Sequence, residues 1–240
     1  MKKELTEITI YQDDNIIVVN KPSGILVIPD KHTDESKTLI GILKKQMSQK
    51  IWVVHRIDRD TTGVIVFAKN VQAHKAVSMQ FEASEVKKNY IALLSGVLED
   101  DEGVIDKPIL ISGRDVSIDE TGKKSMTNFK VLERFKSYTL VCAQPQTGRR
   151  HQIRIHFWSI GHPLAVDCKY GSAQPLYLSS FKRNYKEKKG IKEKPLIDRQ
   201  TLHAAALTLK IPGQNMETTF EAAIPKDFEL MMKQLRKYHK

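Results

Sequence analysis

Two short apolar runs, residues 51–54 and 64–68, enclose the stretch His55-Arg56-Ile57-Asp58-Arg59-Asp60-Thr61-Thr62-Gly63. Apolar runs of this length, bounded by polar turns, are the pattern of buried strands. The chain must therefore fold so that two carboxylates, two arginines and a histidine crowd a tight loop between strands entering a core. Charges so placed need partners or solvent, which makes the arrangement costly for a turn that merely connects. This loop is the candidate site.

Around it, extended segments dominate. Residues 16–19 form a buried-strand pattern closed by the turn Asn20-Lys21-Pro22-Ser23-Gly24, and residues 25–28 read as a further extended run. Leu39, Ile42, Leu43 and Met47 recur at helical spacing, which predicts an amphipathic helix over 36–48. Asn70 is placed to cap a helix whose Ala73, Val77 and Phe81 share one face. A strand over 88–94 carries Tyr90, and 97–125 reads as irregular, with short extended pieces at 104–105 and 109–111. Residues 127–135 and 138–143 have the pattern of a hairpin. A helix is expected over 151–160, stopped by Gly161-His162-Pro163, with Arg150 and Arg154 one turn apart on one face. Residues 202–211 and 216–224 read as a strand pair around Pro212-Gly213, and Pro225 opens a last helix with Phe228, Met231, Met232 and Leu235 on its apolar side.

Extended runs thus outnumber helices and join mostly through turns. That predicts an α+β fold, a mixed and largely antiparallel central sheet with flanking helices. With 240 residues, 40% hydrophobic content, no internal repeat and no low-complexity linker, a single domain over 1–240 is expected. Within it, residues 181–194 carry many Lys and Arg and few large apolar side chains, the composition of a basic, mobile insertion.

The formal charge of +11 points to a polyanionic partner, of which nucleic acid is the commonest. Cys142 and Cys168 provide neither a disulfide framework nor a paired-cysteine metal site, which fits a reducing compartment. Met1-Lys2-Lys3-Glu4 leads into no apolar leader, and no apolar run is long enough for a membrane span, so a cytoplasmic protein without membrane association is expected.

His55, Asp58, Asp60, His151, His156 and His162 are potential metal ligands, but His151 and His156 are five apart, which does not align them on one helical face. No metal site is expected. Phosphate-cradling glycine patterns and a serine elbow are also missing. What remains is a carboxylate beside arginines in a basic protein. Two readings stand at this point: covalent or acid/base chemistry by Asp58 or Asp60 on an anionic polymer, or a solvent-exposed ion-pair network.

The loop's residues resemble the signature of the RluA-type pseudouridine synthases, H-R-L-D-x-x-T-S-G. Other stretches match in the family's order: Asn20-Lys21-Pro22-Ser23-Gly24; Lys88-Asn89-Tyr90-Ile91-Ala92 as K-x-Y-x-A; Thr147-Gly148-Arg149-Arg150-His151-Gln152-Ile153-Arg154-Ile155-His156 as T-G-R-T-H-Q-I-R-V-H; Gly161-His162-Pro163-Leu164; Asp167 to Gly171; and Leu202-His203-Ala204 as L-H-A. The resemblance spans roughly residues 11 to 225. Departures are Ile57 for Leu, Thr62 for Ser, Arg150 for Thr and Val166 for Gly, and no accessory domain of the S4 type is evident.

The resemblance implies a pseudouridine synthase-like catalytic domain that isomerises uridine in structured RNA, ribosomal or transfer, without cofactor or metal. It assigns Asp58 as the catalytic carboxylate, either a nucleophile at C1′ or a base at the 2′ position, and gives Asp60 a loop-structuring role. Arg154 is expected to pair with Asp58, Tyr90 to stack on the extracted uracil, and Leu202 to pack on the base's other side. Arg56 has the shape to fill the gap left by a flipped nucleotide, and His55 is a hydrogen-bonding support. Arg59, Arg149, Arg150, Lys182, Arg183 and Lys186, with Lys188 and Lys189, are the expected RNA-backbone contacts. A monomer acting on RNA with no small-molecule cofactor is the leading expectation. The alternatives are a non-catalytic RNA-binding or RNA-chaperone module on the same fold and a metal-dependent nuclease.

Overall fold

A computed structural model describes residues 5–186, 190, 192–214 and 216–240. The chain divides into two compact units, Met1–Asn89 with His203–Ala223 and Tyr90–Leu202 with Ile224–Lys240. In chain order the elements are α1 (Leu5–Ile8), β1 (Thr9–Gln12), β2 (Ile16–Lys21), α2 (Leu39–Met47), β3 (Trp52–Val53), β4 (Thr62–Ala68) and α3 (Val71–Glu82). There follow β5 (Lys87–Ser95), β6 (Glu102–Asp106), β7 (Ile109–Ser112), β8 (Asp115–Ile118), β9 (Met126–Arg134) and β10 (Tyr138–Pro145). The chain closes with α4 (Gln152–Ser159), β11 (Leu202–Lys210), β12 (Glu217–Glu221) and α5 (Lys226–Tyr238).

In the first unit β2 lies between β1 and β4, and β11 pairs with both β4 and β12. The β4–β11 pairing is parallel and the others are antiparallel. Every residue of β4 is buried, which accounts for an apolar run without alternation. Val64, Val66 and Ala68 form a core with Ile16, Val18, Leu207 and Leu209, into which α3 inserts Ala73 and Val77. The Asn70 side chain caps α3 by accepting from Ala73 N–H, as its position before the apolar periodicity predicts.

Residues 25–28 do not form the expected strand. The carbonyls of Leu26 and Val27 instead accept from the N–H groups of Leu39 and Ile40. These are otherwise orphaned donors at the start of α2, so the segment serves as a helix cap and has no strand partner to find.

In the second unit β5, β10, β9 and β6 are neighbours in that order, all antiparallel. The mixed, largely antiparallel α+β arrangement is thus present, with the parallel pair β4–β11 among antiparallel ones. Segment 97–125 holds more order than its polar composition suggests: it supplies β6 and the β7–β8 hairpin. These strands are short and rich in exposed polar residues, which hides their alternation. Phe228, Met231, Met232 and Leu235 of α5 pack on Leu93, Leu140, Val166 and Phe181. The first turn of α5 is tied down by a bidentate pair, Arg199 with Asp227, both contacts 2.7 Å.

Candidate functional site

The loop between β3 and β4 is held by hydrogen bonds to other residues of the first unit. His55 Nε2 accepts from the Val66 N–H at 3.1 Å, which leaves the ring proton on Nδ1. Its imidazole stacks on Phe81, 4.5 Å between centroids. Burial, with the Lys88 ammonium nearby, pushes the His55 pKa down to about 3, so His55 is a neutral structural acceptor. Burial likewise lowers Lys88 to about 8.

Downstream of Asp58 the backbone is clamped by the turn that follows β2. The fully buried Lys21 ammonium donates to the carbonyls of Pro22, Ile25 and Arg59, a use of its three donors that offsets its desolvation. Gly24 N–H also donates to Arg59 O, Arg59 Nε returns a bond to Gly24 O, and Ser23 Oγ donates to Asp60 O. Thr62, where β4 begins, is bonded to His203. Gly63 has a φ of +115°, and a Cβ there would fall on the Ala204 carbonyl; only glycine admits this close parallel approach. Between these anchors Arg56 is exposed, Ile57 is buried and Asp58 is half-buried.

The second unit carries Arg154 on α4. Its Nε and NH2 donate to Asp167 Oδ2 and Oδ1, each at 2.7 Å, and its guanidinium carbon lies 5.1 Å from the Tyr170 ring centroid. Burial alone would raise the Asp167 carboxyl, but the Arg154 bonds and charge, with the amides of Lys169 and Tyr170, hold it below the usual carboxylate range. Tyr170 Oη is itself 2.9 Å from His151 Nδ1. Asp167 drew no role from the sequence, although it opens a stretch that matches the family; its contact to Arg154 is the signal that sequence spacing does not show. Tyr90 packs on a cluster containing Ala92, Leu94, Ile153 and the buried Leu202.

Arg150 lies outside α4, contrary to the expected shared face with Arg154. His151 takes a left-handed φ of 57°, and the Gln152 side chain accepts from Arg149 N–H, so the helix starts only at Gln152. Arg150 instead donates to the carbonyls of Gly113 and Asp115, and Lys169 donates to Arg114 O. Together they brace the β7–β8 turn. A buried chain of polar groups runs beneath: Thr147 to Gln152, Gln152 to Thr127, Thr127 to His156 Nδ1, and His156 Nε2 to Lys107 O.

Of the remaining expected RNA contacts, Arg59, Arg183 and Lys186 are exposed, and Lys182 is half-buried with its ammonium 5.3 Å from the Tyr238 ring centroid. Lys188 and Lys189 lie outside the described residues. Nearly all of the excess positive charge falls in the second unit. Among the described residues no group of His, Cys, Asp and Glu could hold a metal ion, and no helix is long and apolar enough to cross a membrane.

Comparison with known proteins bears on this geometry. The RNA pseudouridylate synthase family matches residues 15–159. The ribosomal large subunit pseudouridine synthase D of Nitrosomonas europaea is 35% identical over 95% of this chain, which spans 64% of that relative's length. An uncharacterized RNA pseudouridine synthase of Bacillus subtilis is 34% identical over 95% of this chain and 72% of its own. Among solved structures, human RNA pseudouridylate synthase domain containing 4 superposes with a TM-score of 0.72 at 26% identity, covering 97% of this chain and 94% of that one.

Proposed function

The chain belongs to the RNA pseudouridylate synthase family, and from that premise we propose that it isomerises uridine in RNA to pseudouridine with Asp58 as the catalytic carboxylate. The observation that carries this reading is the clamped loop. His55, Lys21, Ser23, Gly24 and His203 fix the backbone on both sides of Asp58, whose side chain is half-buried in a protein rich in positive charge. Rigid support around a carboxylate is what a reacting group needs.

The reaction breaks the N1–C1′ glycosidic bond, turns the uracil and joins C5 to C1′; C5 gives up its proton and N1 gains one, so no cofactor is consumed. Asp58 attacks C1′ or removes the 2′ proton. The target nucleotide is flipped out of its stack, at a cost of a few kcal/mol that is lowest in loops and bulges. Arg56, exposed beside Asp58, fills the vacated space. Tyr90 stacks on the uracil, Leu202 supports it, and Arg154 pairs with Asp58 and aims it. Arg59, Arg149, Lys182, Arg183 and Lys186 hold the RNA backbone, while Arg150 contributes through the turn it braces. One monomer, acting in the cytoplasm as a catalytic domain, suffices.

The naming of the Nitrosomonas relative as a ribosomal large subunit synthase favours ribosomal over transfer RNA as substrate. Tritium release from RNA labelled at uridine C5 tests the activity. Mapping pseudouridines in cellular RNA with and without this protein identifies the position. Tight RNA binding by the wild-type protein with no release from any cellular RNA would instead mark a binding module.

A further inference from the structure

Resting on that reading, we propose that His203 is a positioning residue that orients the Asp58 loop through Thr62. The parallel pairing of β4 and β11 sets His203 opposite Thr62 and Ala204 opposite Gly63. His203 Nδ1 lies 2.8 Å from Thr62 Oγ1, and Nε2 lies 3.2 Å from Ala222 O. A carbonyl only accepts, so Nε2 carries the ring proton and Nδ1 faces the threonine hydroxyl. Both residues are buried, His203 completely.

A buried polar pair adds little net stability over apolar side chains of the same shape, and it leaves a costly orphan when one partner is lost. What it adds is direction. Thr62 is the first residue of β4 and the downstream end of the loop. Upstream of it, the carbonyls of Arg59 and Asp60 are already pinned by Lys21 and Ser23. With Thr62 also fixed, little rotational freedom remains between Asp58 and the sheet. His203 therefore acts as the far anchor of a strap whose other end is the His55–Val66 bond.

Side-chain amides separate this role from simple packing. An asparagine at position 203 offers an oxygen near the place of Nδ1 and keeps the Thr62 contact; a glutamine offers a nitrogen near the place of Nε2 and keeps only the Ala222 contact. Thr62→Val, His203→Asn, His203→Gln and the Thr62→Val/His203→Gln double variant are compared for pseudouridine formation on ribosomal RNA and for amide exchange over residues 56–61. Thr62→Val and His203→Gln are expected to lower kcat about ten- to a hundredfold with little change in KM, and to speed exchange in the loop. His203→Asn retains most of the activity and protection, and the double variant is no worse than either single one. Equal losses in His203→Asn and His203→Gln, multiplying losses in the double variant, or unchanged exchange over 56–61 would overturn the proposal. If wild-type protein forms no pseudouridine in any RNA, the functional reading fails, and the exchange pattern alone still decides whether His203 holds the loop.

Discussion

Arg154 lays two parallel N–H donors on the two carboxylate oxygens of Asp167, each at 2.7 Å, in a site where both side chains are almost wholly buried. The arginine proposed to act beside the reacting carboxylate thus has a resident counter-ion in its own unit. That counter-ion fixes the plane of the guanidinium, with Tyr170 against its face, before any substrate arrives.

Removing Asp167 takes the bidentate partner away from a buried cation. Asp167→Ala is expected to destabilise the protein by about 3–5 kcal/mol, read by chemical denaturation, and to lower turnover. Because the Asp167 pKa is depressed in the folded state, its contribution is present above the unfolded carboxylate pKa and is lost as pH falls through the folded value. Wild-type stability should therefore fall more steeply below about pH 4 than that of Asp167→Asn.

Asp58→Asn should reduce pseudouridine formation by more than about a thousandfold while leaving RNA affinity and the thermal midpoint near wild-type values. Near-normal turnover in this variant would remove Asp58 from the chemistry. Arg56→Ala should impair structured substrates more than single-stranded ones, since only a stacked nucleotide leaves a gap to fill; equal losses would reject the gap-filling role.

His55 is neutral in the fold, with a pKa near 3, yet charges near 6.5 when unfolded. The unfolded chain therefore binds a proton that the folded one refuses, and stability contributed by neutral His55 is lost as pH falls from about 6.5 towards 3. His55→Gln should flatten that part of the stability profile. It should also cost about 1–3 kcal/mol at neutral pH if the Val66 N–H is left without an acceptor.

Gly63→Ala puts a Cβ against the Ala204 carbonyl at a positive φ. A loss of at least about 2 kcal/mol, seen as a lower thermal midpoint, is expected, with faster amide exchange along β4 and β11. Arg150→Ala should speed exchange in the β7–β8 turn without that loss, because its bonds go to exposed turn carbonyls.

The sequence by itself determined the elements and the order of their motifs. The buried strand at 64–68, the Asn70 cap, the apolar face of α5 and the Asp58 loop are all written in neighbouring residues, since strand and helix periodicities and capping are local. The family resemblance came from the same local spelling. Tertiary structure alone decided where polar groups end. It gave Arg154 to Asp167, sent Arg150 to the β7–β8 turn, made residues 25–28 a helix cap instead of a strand, and joined Thr62 to His203 across 141 residues. Apolar side chains need only a buried face, which a short window reveals. A buried hydrogen-bonding group needs one particular partner at one distance and angle, and that partner is chosen only when distant strands come into register.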